Sequence, residues 1–169
     1  MVKSVLMYNS GTWGLSKAEE LSLDAFHRRQ LRQVLGVKYP ARMRNSIVYL
    51  QTGEKPLSIQ IMQARWRLLG HCLRLHKDTP AKRAIMYFFQ PSQGKGFRGR
   101  QRTTLPVVIN KDLEKASKNE TIATKYELPD RLGNIEDMQL LNNLATDKDR
   151  WRTFVNDICK SAEAEFKND

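Results

Sequence analysis

Apolar residues in this chain recur at three- and four-residue intervals, and almost nowhere at the two-residue alternation of a half-buried strand. Ser16 followed three residues later by Glu19 is a capping box, so a helix is predicted to start there. Leu23, Phe26, Leu31, Val34 and Leu35 supply its apolar stripe, and Gly36 is placed to stop it as the left-handed residue after the cap. A short helix is predicted from Asn45 to Thr52, ended by Gly53. Pro56 opens a long amphipathic run with Leu57, Ile61, Leu68, Leu69, Cys72 and Leu73 on one face.

Pro80 starts a further helix that ends in Ile85-Met86-Tyr87-Phe88-Phe89, a cluster read as core. Residues 90–104 form a loop by composition, and Leu105 to Ala116 is a helix with Pro106 in its first turn. Residues 117–133 are polar and predicted to be loose. Asn134 and Thr146 are expected to cap a closing pair of helices, the second carrying Trp151, Phe154, Val155 and Ile158. The opening apolar stretch Val5 to Tyr8 fits a helix end or a short strand equally well. The fold class that follows is all-α: an irregular multi-helix domain over 1–89, a basic Gly/Arg-rich loop over 90–104, and a C-terminal helical pair within 105–169.

Charge sharpens this picture. Residues 1–102 hold 19 Lys/Arg against 5 Asp/Glu, residues 103–169 hold 10 against 13, and the whole chain carries +11. A charge so concentrated argues for an anionic partner more strongly than a high isoelectric point alone. The gradient ends in Gly94-Lys95-Gly96-Phe97-Arg98-Gly99-Arg100-Gln101-Arg102, four cations around three glycines and one aromatic. Glycine lets a backbone approach phosphate closely, and arginine meets phosphate oxygens two at a time. Phe97 is suited to stack a base or to fold back on the core, and both readings stand. Arg28, Arg29 and Arg32 form a second basic face on the first long helix, off its apolar stripe.

Most enzymatic chemistry is excluded. The chain has no Gly-x-x-x-x-Gly-Lys-Ser/Thr phosphate loop and no His-Glu-x-x-His pair. His71, Cys72 and His76 cluster locally, but a structural zinc site needs four ligands and no second pair stands at useful spacing. No Asp-Asp dipeptide is present, and the acids gather at C-terminal helix starts, as at Asp147 and Asp149, where the helix dipole favours them. No cofactor, no metal and no catalytic residue is expected. Cys72 and Cys159 read as buried or free thiols, and no apolar run approaches a membrane span. These features predict an intracellular protein, nuclear or in a cytoplasmic ribonucleoprotein.

Five segments taken in order resemble one family. Val5-Leu6-Met7-Tyr8-Asn9-Ser10-Gly11-Thr12-Trp13 is similar to the V-L-x-Y-G-S-E-x-W segment beyond the palm of non-LTR retrotransposon reverse transcriptases. Leu23-x-x-Phe26-x-x-x-x-Leu31-Arg32-x-x-Leu35-Gly36 resembles the helix that follows there. Arg65-Trp66-Arg67-Leu68-Leu69-Gly70-His71-Cys72-Leu73-Arg74 is similar to the family's R-W-x-G-H-x-x-R, with one residue inserted. Arg98-Gly99-Arg100-Gln101-Arg102 stands where the family has R-G-R-P-R, and Asp149-Arg150-Trp151-Arg152 resembles a shortened D-R-x-x-W-R. The chain departs from the pattern at Asn9, Thr12 and Gln101.

The resemblance implies a thumb-like helical region over 1–89 and a post-thumb region at the C-terminal end. It also implies that the catalytic aspartates belong to a palm upstream, so that the chain is a non-catalytic part of an RNA-directed DNA polymerase. Its expected partners are an RNA or DNA backbone and a palm/fingers domain in cis or in trans. Lys95, Phe97, Arg98, Arg100 and Arg102 are the expected clamp, extended by Arg28, Arg29 and Arg32. The alternative is a domesticated or relic protein–protein interaction module without nucleic-acid function.

Overall fold

A computed structural model describes residues 2–88, 103–129, 131–133 and 135–167. Among these are nine α-helices and no strand, so the fold is all-α. The helices are α1 (Val2–Leu6), α2 (Lys17–Val34), α3 (Asn45–Thr52), α4 (Leu57–Arg74), α5 (Pro80–Phe88), α6 (Leu105–Ser117), α7 (Glu120–Tyr126), α8 (Ile135–Thr146) and α9 (Lys148–Lys167). A 3₁₀ turn over Ser10–Thr12 links α1 to α2.

Local signals set most boundaries. Ser16 and Glu19 form the reciprocal capping box at the start of α2. At its end Gly36 adopts φ 71°. The Val37 N–H then reaches the Arg32 carbonyl at 3.0 Å and the Gly36 N–H reaches Gln33 at 3.1 Å, which is a Schellman closure. Gly53, at φ 66°, stops α3 in the same left-handed conformation. The last helix starts differently from expectation. Thr146 ends α8, and Asp147 does the capping, its Oδ1 accepting the N–H groups of Asp149 and Arg150 at 2.9 and 3.0 Å.

Helix α4 is the hub. Eleven of its eighteen residues are buried, which leaves only a narrow solvent face. It packs on the 3₁₀ turn and α2 on one side and on α6, α8 and α9 on the other. Trp66 meets α9. Its ring lies 6.0 Å from Trp151 and 5.5 Å from Phe154, nearly perpendicular to the latter. Tyr126 completes this aromatic group 5.0 Å from Phe154. Edge-to-face geometry of this kind adds to the burial of the rings themselves.

A charged link crosses the same core. Arg65 Nη1 donates to Asp112 Oδ2 at 2.6 Å, and Trp66 Nε1 donates to the same oxygen at 3.2 Å. Both ion-pair side chains are essentially closed to solvent. Burial pushes the Asp112 carboxyl up, and the adjacent guanidinium opposes that rise.

Three expectations are corrected by packing. The apolar stripe of α2 is only partly its buried side: Leu23, Leu31 and Leu35 are half-buried, Phe26 and Val34 are exposed, and Asp24 and His27 are buried beside them. The reason lies at the start of α4, where unsatisfied N–H groups require an acceptor. Asp24 supplies it, accepting from Ser58 N at 3.0 Å and Ser58 Oγ at 2.6 Å. Residues 117–133, expected to be loose, contain α7 with Ile122 and Tyr126 buried. Of the cluster read as core, Ile85 and Met86 do face the core, Tyr87 is 75% exposed at the end of α5, and Phe89 lies outside the described residues.

Candidate nucleic-acid interface

Two of the basic segments meet only in the folded chain. Arg67 and Arg74 lie seven residues apart on α4, about two turns along one face. Lys148 and Arg152 lie four apart on α9 and share a face as well. Packing of α4 against α9 brings the two pairs across a groove of about 670 Å³, lined also by Asp149, Trp151 and Val155. Four cations against one carboxylate make the groove strongly positive, and low-dielectric walls focus such a field outward.

The groove owes its shape to a close approach. A Cβ on Gly70 would lie 2.1 Å from Trp151 Nε1. Trp151 can therefore lay its indole on the α4 backbone, where Nε1 donates to the Trp66 carbonyl at 3.1 Å. Trp151 itself is 3% exposed, so it forms the floor and offers no face to a base. Arg74 spends one nitrogen on the Ala145 carbonyl at the end of α8, at 3.0 Å, which sets its guanidinium at the groove mouth. Arg67, Lys148 and Arg152 are exposed and make no hydrogen bond or ion pair among the described residues. Such side chains are free to meet an incoming anion without breaking an existing contact.

The residues expected from sequence fare differently. Lys95, Phe97, Arg98, Arg100 and Arg102 lie outside the described residues. Arg28 is half-buried near Tyr49. Arg32 Nη2 donates to the Met43 carbonyl at 3.0 Å and to Asn45 Oδ1 at 2.8 Å, so it braces the entry to α3. Arg29 is exposed. None of the three lines the α4–α9 groove. The groove cations were present in the sequence inside the Arg65–Arg74 segment and inside or just before the Asp149–Arg152 segment, about 80 residues apart. Their proximity had no local signal, because only the α4–α9 contact makes them neighbours.

Chemically the groove offers charge and hydrogen-bond donors, and no nucleophile beside a base. Among the described residues no three His, Cys, Asp or Glu side chains converge on a possible metal position. Cys72 and Cys159 are free and buried. Burial raises both thiols, Cys159 to about 12, which keeps them protonated and unreactive. Among the described residues no helix is long and apolar enough to cross a membrane. No protein-family model matches the chain, and neither does any curated protein or solved structure.

Proposed function

We propose that this chain is a thumb and C-terminal region of a non-LTR retrotransposon reverse transcriptase. Its task is to hold nucleic-acid phosphates, with catalysis left to a palm. The observation that carries this reading is the α4–α9 groove. In it Arg67 and Arg74, from the segment resembling R-W-x-G-H-x-x-R, face Lys148 and Arg152, from or beside the segment resembling D-R-x-x-W-R. Guanidinium and ammonium groups at this density suit a polyanion, and a buried tryptophan floor gives no base-specific contact.

The test is binding to a short structured RNA and to a DNA duplex across a salt series, for the wild type and for Arg67→Ala/Arg74→Ala. Each lost phosphate contact flattens the log–log salt slope by roughly 0.7–0.9. The double variant is therefore expected to lose about 1.4–1.8 from the slope. An unchanged slope, or no binding at moderate salt, overturns the reading. That second outcome favours an interaction module acting in trans, for which the exposed Tyr87 at the end of α5 is the supporting observation.

A further inference from the structure

Two more depressions continue from the basic groove along α4. Arg67 borders the groove on one side and, on the other, a hollow of about 340 Å³ between α1 and α4 that holds Ser4, Gln60 and Gln63. Lys3, which pairs with Glu54, borders that hollow and an apolar groove of about 480 Å³ between α1 and α2. The apolar groove is lined by Leu6, Phe26, His27, Gln30, Gln33 and Val34. From Arg74 to Leu57 the path follows α4 for about 26 Å at 1.5 Å per residue. That fits the low end of the roughly four- to sixteen-nucleotide sites of single-strand binders.

The chemistry changes in order along this path: cations, then amides and a hydroxyl, then an aromatic and aliphatic wall. A nucleotide presents the same three kinds of surface in its phosphate, its base edge and its base face. Resting on the nucleic-acid reading above, we propose that the three depressions form one track for a single strand. Phosphates near one end of the strand lie in the α4–α9 groove, and unpaired bases farther along it stack on Phe26 beside Gln30 and Gln33.

A duplex keeps its base faces inside the stack, so nothing in it matches the apolar end of the track. An unpaired strand splays its bases, and an aromatic side chain accepts any of them because each has a π-face. Phe26 is 44% exposed and Val34 82%, so the wall is open to such contact. Gln30 and Gln33 each carry a donor and an acceptor, which suits varied base edges. His27 adds its ring to the wall. Its Nδ1 has no partner, and burial lowers its pKa, which favours the neutral ring.

The test measures anisotropy of labelled oligo-deoxythymidine and oligo-uridine strands and of a labelled blunt DNA duplex, with the full chain. Phe26→Ala removes an exposed ring, and circular dichroism checks that its helix content is unchanged. The expected result is a roughly five- to hundredfold loss of strand affinity for Phe26→Ala, with duplex affinity unchanged. Arg67→Ala/Arg74→Ala weakens both. Comparing the two strands separates ribose from deoxyribose preference. Wild-type strand affinity in Phe26→Ala overturns the track and leaves the apolar groove to a protein partner, while the phosphate reading stands. An equal loss for strand and duplex also overturns it. No binding of any probe by the wild type removes the phosphate reading and the track with it.

Discussion

Gly70 and Trp151 share one contact, in which the indole of α9 lies where any side chain on residue 70 would stand. The clearance is 2.1 Å to Nε1 and 2.5 Å to Cε2 for a built Cβ. The α4–α9 pairing, the aromatic core and the basic groove all depend on that approach.

Gly70→Ala is accordingly expected to destabilise the fold although alanine is the better helix former. Overpacking costs about 1–3 kcal/mol, and displacing Trp151 also breaks its hydrogen bond to the Trp66 carbonyl. Urea denaturation measures the loss. A stability equal to wild type would mean that α9 is not seated on Gly70.

Asp24 acts as a remote cap for α4, 34 residues away along the chain. Asp24→Ala leaves Ser58 without its acceptor and is expected to cost about 1–2 kcal/mol, the upper range of cap deletions. Phe26→Ala, two residues on but exposed, is expected to change stability by less than about 0.5 kcal/mol. Thermal melts of the two variants give the comparison, and a reversed order would refute the inward placement of Asp24.

The Arg65–Asp112 pair predicts an asymmetry between one substitution and two. Asp112→Ala strands a buried guanidinium whose Nε and Nη2 already lack partners, at a cost of about 3–5 kcal/mol. Arg65→Met with Asp112→Leu removes both charges and leaves only the Trp66 N–H without its acceptor, so it is expected to cost less, about 1–3 kcal/mol. Equilibrium unfolding of the two variants decides. Equal losses would show that the pair is needed for more than mutual neutralisation.

His27 predicts acid sensitivity. Its folded pKa is below the ordinary 6.5, first because burial disfavours the imidazolium. The unfolded chain then takes up the proton before the folded one as pH falls. The stability tied to His27 is thus fully present above pH 6.5 and is lost progressively below it. Nearby Lys3 and Arg28 reinforce the shift, while Glu54 and Asp24 oppose it. Melting temperature followed from pH 7.5 to 5 is expected to fall more steeply for wild type than for His27→Phe. Parallel curves would count against a neutral, buried His27.

Helix boundaries were legible in the sequence wherever the physics is local. The Ser16–Glu19 box, Gly36 and Gly53 each act within a few residues, so composition alone places them. The buried Trp151 of α9 was legible too, as a large apolar group at helical spacing. Helix α7 was not, because its buried side is only Ile122 and Tyr126, two residues too few to make a period. The inward turn of Asp24 was hidden for another reason: its partner is the start of a different helix.

The sequence by itself determined an all-α chain, its capped helices and a strong positive charge in its N-terminal part. These follow from hydrogen bonds, spacing and charges within a turn or two. The tertiary structure decided which cations face one another, which apolar residues remain exposed and which tryptophan meets which. Those outcomes depend on helices far apart in the chain competing for the sides of α4. No stretch of sequence contains that competition, because burial is a property of the assembled surfaces.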